Sequence, residues 1–409
     1  MKFPMKNKIY YILFLLYVTV LLISLQKEVQ LEHEWKAIMN DFLMDKGYRL
    51  LGVPTAYMPP FYSYYLLICK KVFGFTSWIK VSCFIQAIIY YFSLHYLFKT
   101  FLKDGLHQWR IIILFLSVLF FPPILVGSLS ISSFSLSVSI LCVFFALLYK
   151  IYDEKDVKIE NMIYIAVISI AGLYIRYEFI FILILSGLIY LFLRKISVLN
   201  FIKILVFVFL AYLPWTIRNY IYIGKFTYST SLNYNFAKGY NEVYDIFSSY
   251  NFPYAPETRR KEPIGLLYKE LKGEKEVDEH LSALNKDFID QHPGLFLKLT
   301  VQKLAINFLQ FFPDYKGLSK YRIYIFYSIF FVIFQAVLIL AMKRLKDAKN
   351  NYLLMFTLSF YLFSLFFYTI APMPRYFLLF YPIFTVIIVK SFQDENGSYF
   401  KIRQKKTAS

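Results

Sequence analysis

The sequence predicts an all-α polytopic membrane protein, and three observations carry that expectation. Of 409 residues, 58% are hydrophobic and 21% aromatic, with a mean hydropathy of +0.51; an ordinary soluble domain has about 45–50% apolar and about 25% charged residues. Charged residues make up 17% of the chain and gather at the ends of apolar runs. Roughly ten such runs are long enough to cross a bilayer, which takes about 20 residues as a helix. The formal charge of +19 would suggest nucleic acid in a soluble protein. Here the lysines and arginines sit where anionic headgroups lie, so nucleic acid is excluded as a partner and membrane lipids are expected. Cys69, Cys83 and Cys142 lie inside apolar runs without metal-ligand spacing and read as small core residues.

The first run, Tyr10 to Leu25, follows Lys2, Lys6 and Lys8 without a small-residue cleavage site, so an uncleaved first span with a cytoplasmic N-terminus is expected. Residues 26–60 form a polar first loop. Phe61 to Phe73, interrupted by Lys70 and Lys71, is too short to span and reads as interfacial or re-entrant. The remaining runs are Trp78–Phe98, Ile111–Val126, Phe134–Tyr149, Met162–Ile175, Phe179–Leu193, Ile202–Ile221, Tyr321–Met342, Tyr352–Ile370 and Tyr376–Val389. The chain therefore divides into an N-terminal transmembrane module over 1–222, a membrane-associated helical region over 223–320, C-terminal transmembrane helices over 321–392 and a basic tail over 393–409.

Lysine and arginine bias orients these spans. Lys99, Lys103 and Arg110, then Lys150, Lys155 and Lys158, then Arg194, Lys195 and Lys203, then Lys343, Arg344, Lys346 and Lys349, and finally the Lys401–Lys406 tail fall on one side. The opposite connections, Gly127–Ser133 and Ala371–Arg375, are nearly free of basic residues. This pattern predicts that 26–60 and 224–320 share the extracytoplasmic face of a multi-pass plasma or inner membrane protein.

Helical spacing is visible in both polar segments. Trp35, Ile38, Met39, Phe42 and Leu43 recur at helical intervals with Lys36, Asn40, Asp41 and Asp45 opposite, and Gly47 marks a stop. That predicts an amphipathic helix lying on the membrane. In the larger segment Val277, Leu281, Leu284 and Phe288 mark one face of a helix ending before Pro293. A second, more apolar helix runs from Pro293 to about Phe312 with Lys298, Gln302, Lys303 and Gln310 on its polar side, and reads as interfacial, a span being the alternative.

Three arginines in or beside apolar runs, Arg176, Arg218 and Arg375, stand at the same predicted face. A charge at that depth is costly enough to imply a partner, and guanidinium suits phosphate. Singly, each has a plain explanation. Arg218, in Leu213-Pro214-Trp215-Thr216-Ile217-Arg218-Asn219-Tyr220, can snorkel to headgroups beside an interfacial aromatic; Arg176 can pair with Glu178; and Arg375 follows Pro374, which fixes the chain. Together they favour an anionic lipid-phosphate site. After the first span comes Leu31-Glu32-His33-Glu34-Trp35. A carboxylate there can take a hydroxyl proton or hold a divalent cation, or simply be the acidic, solvated start of a helix.

In this order the motifs resemble the GT-C fold membrane glycosyltransferases that take sugar from a polyprenyl-phosphate carrier, the protein mannosyltransferase and aminoarabinose transferase-like superfamily. The matching elements are the acidic group after the first span, the Gly47…Pro59-Pro60 stretch with aromatics to Gly74, Arg176 and Pro214-Trp215…Arg218-Asn219. They continue through Asn233…Gly239-Tyr240-Asn241, Asp287…His292-Pro293…Lys303 and Arg375-Tyr376…Pro382. The resemblance implies a GT-C-like bundle and transfer on the extracytoplasmic face to a glycolipid, glycan or protein, with inversion at C1. In the family a first-loop acidic residue, usually aspartate, acts on the acceptor; by position it is Glu32 or Glu34 here. Arg218 and Arg375, then Arg176, are implied at the donor phosphate, and Tyr57, Asn219, Asn233, Asn241 and Tyr376 at the substrate. Tyr57 and Met58 stand where members acting on lipid A often carry a lysine. No cofactor is implied; a divalent cation can sit at Glu32/Glu34, although no ligand cluster demands one.

Two other functional classes compete. A lipid transporter or flippase also places charge within a bundle, but is expected to show internal repeats and broken helices near the midplane, and none is evident. A lipid-linked polysaccharide polymerase or ligase also sets arginines against a lipid phosphate, but with its large loop between different spans.

Overall fold

The structure, a computed structural model, describes residues 5–26, 29, 33–44, 46–102, 108–153, 158–241, 267–268, 270–309, 318–347, 350–370 and 377–392. Apart from one two-stranded ladder these residues form helices and the turns between them. Five helical stretches are long and apolar enough to cross a membrane: Ser77–Phe101, Phe134–Asp153, Val198–Ile223, Ser328–Asp347 and Asn351–Thr369. A sixth arises if Ile111–Leu119 and Pro122–Ser128, bent by 55°, form one span, and Tyr10–Ser24, Ile159–Ile175, Phe179–Phe192 and Tyr381–Phe392 are shorter apolar helices. The chain is thus an all-α polytopic membrane protein, and the described part of each expected run lies mostly in helix. The break in the Ile111–Val126 run lies at Pro122-Pro123. Neither ring nitrogen can donate to the preceding turn, so the helix restarts with the prolines at its first positions.

The described residues fall into two compact units, Met1–Gly47 with Pro59–Arg176, and Tyr48–Met58 with Tyr177–Ser409. The first holds α1 (Met5–Ser24), α2 (His33–Leu43), α3 (Pro60–Phe101), α4 (Gln108–Leu119), α5 (Pro122–Ser128), α6 (Phe134–Asp153) and α7 (Ile159–Ile175). α3 packs on α1, α2, α4, α5, α6 and α7. It breaks at Gly74, whose φ of 74° and ψ of 179° leave helical geometry, so the Phe61–Phe73 segment is helical yet separate from the span that follows. In that span Gln86 donates to the carbonyls of Ser128 (2.9 Å) and Ser130 (2.7 Å) and accepts from Tyr62 Oη (3.1 Å). This buried amide is thereby satisfied, as a low-dielectric core requires. In α2, Trp35, Ile38 and Met39 are buried as expected. Asp41 corrects the expected pattern, because it lies on the buried side rather than with exposed Lys36 and Asn40.

The second unit holds a short hairpin, β1 (Arg49–Leu50) and β2 (Val53–Pro54), then α8 (Phe179–Phe192), α9 (Val198–Ile223), α10 (Ser231–Gly239), α11 (Glu274–Gln291), α12 (Pro293–Leu309), α13 (Leu318–Asp347), α14 (Asn351–Phe366) and α15 (Tyr381–Phe392). α11 ends one residue before Pro293 and α12 starts on it, as the sequence predicts. The polar stripe of α12 is corrected by the structure. Lys303 is fully buried and Asn307 nearly so, while Leu297 and Val301 are exposed. Lys298 stays exposed, so only part of the expected stripe turns inward.

Candidate functional site

The last two turns of α9 gather the functional side chains. Trp215, Arg218, Asn219 and Tyr222 stand at i, i+3, i+4 and i+7, which is one helix face. The turn that follows is closed by Gly224, left-handed at φ 79°, whose N–H reaches the Tyr220 carbonyl at 3.0 Å. Trp215 Nε1 donates to the Tyr228 carbonyl (3.2 Å) and Asn219 Nδ2 to that of Thr227 (2.8 Å), which fastens the chain leaving α9 back onto the helix.

Arg218 fastens a second segment, the strap Tyr48–Met58. Its Nη2 donates to the Tyr48 carbonyl at 2.6 Å, and its Nη1 to the Thr55 carbonyl at 2.7 Å and to Asn219 Oδ1 at 3.0 Å. The same guanidinium lies over the rings of Tyr48, Trp215 and Tyr222 at 5.0–5.4 Å, close enough for cation–π attraction. The strap is itself a closed loop. Leu51 and Gly52, both with positive φ (56° and 84°), make the two-residue turn of the β1–β2 hairpin, and Tyr48 Oη donates to the Met58 carbonyl at 2.7 Å.

The other side of the strap meets Glu274, at the start of α11. Its buried carboxylate accepts the Ala56 N–H (3.1 Å) and the hydroxyls of Thr230 and Tyr268. The Ala56 carbonyl accepts from Tyr177 Oη at 2.7 Å, so both backbone polar groups of Ala56 are held. Burial raises the Glu274 carboxyl above its ordinary value, with the three donors acting in the opposite direction, and burial also holds the Tyr268 phenol well above its own. One turn along, Asp278 pairs with Lys225 and accepts from Asn233 Nδ2 at 2.9 Å, while Asn285 Nδ2 reaches the Asn233 carbonyl at 3.0 Å.

A second buried titratable group lies at the end of α10. Lys303 Nζ donates to the Gly239 carbonyl and sits 3.3 Å from the centre of the Tyr240 ring. Burial pushes its pKa down to about 6. A β-carbon on Gly239 would stand 2.1 Å from the Ile370 carbonyl oxygen and 2.8 Å from Lys303 Nζ, so only glycine permits this approach. Asn241 Nδ2 caps the same helix through the Ala237 carbonyl at 3.0 Å.

Of the residues expected at a site, the second unit brings Arg218, Asn219 and Tyr57 together around the strap, with Tyr57 buried edge-on against Tyr234 at 5.1 Å. Asn233 and Asn241 serve α10, on the α11 seam and at its end. Arg176 ends α7 in extended geometry, and Glu34 lies in the first turn of α2, both in the first unit. Glu32, Arg375 and Tyr376 lie outside the described residues. Sequence reasoning missed Glu274 and the burial of Lys303. A signal for the former existed, since Glu274, Asp278 and Asn285 share the buried stripe of Leu281 and Phe288 at spacings of four and three. No group of three or more potential metal ligands occurs among the described residues.

No family model and no curated protein matches the chain. Among solved structures it is similar to ArnT from Cupriavidus metallidurans bound to undecaprenyl phosphate, over 93% of this chain and 77% of that one, at 11% identity and a TM-score of 0.46.

Proposed function

We propose that this protein is a GT-C type membrane glycosyltransferase that moves a sugar from a polyprenyl-phosphate carrier to a glycolipid, glycan or protein on the extracytoplasmic face. The observation that carries the reading is Arg218, a guanidinium fixed by three hydrogen bonds and three rings at the end of an apolar helix. A charge kept at a span's end and held rigid is suited to a phosphate leaving group. It stabilises the charge that develops there without reorganising during the reaction.

In this reading Arg218, Arg375 and Arg176 hold the donor phosphate, and Glu32 or Glu34 takes the acceptor proton while the acceptor oxygen displaces the phosphate from C1 with inversion. Tyr57, Asn219, Asn233, Asn241 and Tyr376 contact substrate. The test is a transfer assay on purified protein in lipid, with radiolabelled polyprenyl-phosphate sugars and extracted envelope glycolipids. Donor-dependent labelling lost in Glu32→Gln supports the reading with Glu32, our first choice, as base; labelling kept there and lost in Glu34→Gln moves the base two residues. Full activity in both variants overturns the first-loop base. No labelling by folded protein moves the assignment to a transporter, or to a polymerase or ligase acting on longer lipid-linked chains.

A further inference from the structure

We infer that Glu274 is the positioning residue of the lipid-phosphate site, setting the Arg218 guanidinium through the strap that lies between them. The inference rests on the reading of Arg218 as a phosphate ligand and adds what orients it. Glu274 does not touch Arg218 in the hydrogen bonds described above. It holds the Ala56 N–H, and the neighbouring Thr55 carbonyl is one of the two backbone oxygens that fix the guanidinium. These two bonds are made by opposite ends of one planar peptide, Thr55 C=O and Ala56 N–H, and the next peptide is held as well, its Ala56 carbonyl by Tyr177 Oη and its Tyr57 N–H by Thr55 Oγ1 at 3.0 Å. A shift of the carboxylate is therefore passed to the Thr55 oxygen rather than absorbed between them.

The carboxylate is in turn fixed by Thr230, in the turn before α10, and by Tyr268. An acid kept fully inside the protein is costly unless hydrogen-bonded, and here its bonds join the strap, the exit from α9 and the start of α11. A glutamine would keep the acceptor facing Ala56 N–H and Thr230. An aspartate would keep the charge but draw the carboxylate back by one methylene, and an alanine would remove it.

The experiment measures binding of farnesyl monophosphate to the full chain in detergent micelles, with farnesol and inorganic phosphate as controls, for wild type, Glu274→Gln, Glu274→Asp, Glu274→Ala and each combined with Arg218→Ala. Unfolding temperature is recorded for every variant. The expected result is affinity within about threefold of wild type for Glu274→Gln and a loss of about tenfold or more for Glu274→Asp and Glu274→Ala, with neither of these two adding to the loss once Arg218→Ala is present. Such non-additivity is the signature of two residues acting through one contact. A role confined to stability would lower the unfolding temperature and leave the affinity of the folded variants unchanged, which overturns the inference. Fully additive losses overturn it as well, and so does lost binding in folded Glu274→Gln. If wild type binds farnesyl phosphate no better than farnesol, the underlying reading of Arg218 fails first. Binding of inorganic phosphate alone would place a free anion, not a lipid headgroup, in the site.

Discussion

Arg218 serves two ends with one side chain, tying down the strap and holding a charge at the end of a span. Arg218→Ala leaves the Tyr48 and Thr55 carbonyls without their donor, and hydrogen bonds to charged groups contribute ~1.5–3 kcal/mol each. We expect a loss of stability of at least about 2 kcal/mol and loss of transfer activity, measured by thermal unfolding in detergent and by the transfer assay. Arg218→Lys should recover little, since an ammonium cannot span two carbonyls as a planar fork does. The two buried titratable groups should give stability slopes of opposite sign. Glu274 titrates above its ordinary 4.5, so from 4.5 up to its native value the folded state holds a proton the unfolded chain has released, and stability falls as pH rises through that window. Lys303 titrates at about 6 against an ordinary 10.5. Between those values the unfolded chain holds more protons, so stability rises with pH across them. Unfolding scans over pH should show the first slope removed by Glu274→Gln and the second by Lys303→Met.

Among the elements, α3 depends on one backbone conformation. Gly74, at φ 74° and ψ 179°, lies in a region that only glycine enters readily. A β-carbon there would meet nothing within 4 Å, so the whole effect of Gly74→Ala should come from the backbone. We expect about 1–3 kcal/mol of destabilisation, read by chemical unfolding. A neutral result would mean that the two halves of α3 join as readily in a continuous helix. α12 carries a complementary lesson. Its polar residues Lys303 and Asn307 turn inward because α10 ends in an open carbonyl and α14 offers the Leu365 oxygen, which Asn307 Nδ2 reaches at 2.9 Å. The expectation of a polar face toward water assumed that such acceptors lay outside.

For the whole molecule the testable matter is sidedness. The native thiols, Cys69, Cys83 and Cys142, are all buried, so single introduced cysteines can be labelled against a low background. Lys275 is 43% exposed at the start of α11, and Lys346 is exposed near the end of α13. A membrane-impermeant maleimide added to intact cells should label Lys275→Cys and leave Lys346→Cys unlabelled until the membrane is opened. The reverse pattern would invert the topology and remove the extracytoplasmic site.

The class of the protein and the place of its helices are legible along the chain. Composition and run length depend only on how many apolar residues lie together, and a bilayer needs every spanning backbone group satisfied within its own helix. Pro293 marked a helix boundary for a local reason, since a missing donor acts on the residue's own turn, whereas the breaks at Pro122 and Gly74 appear in the structure alone. Trp215, Arg218 and Asn219 were legible as one helix face. What covers that face was not, because the strap lies about 160 residues earlier in the chain and two carbonyl oxygens carry no side-chain signature. Packing alone settles the burial of Lys303 and the partners that Glu274 meets on its buried stripe. The groups that satisfy these two side chains, Ala56 N–H and the Gly239 carbonyl, come from segments remote along the chain, so no local pattern points to them.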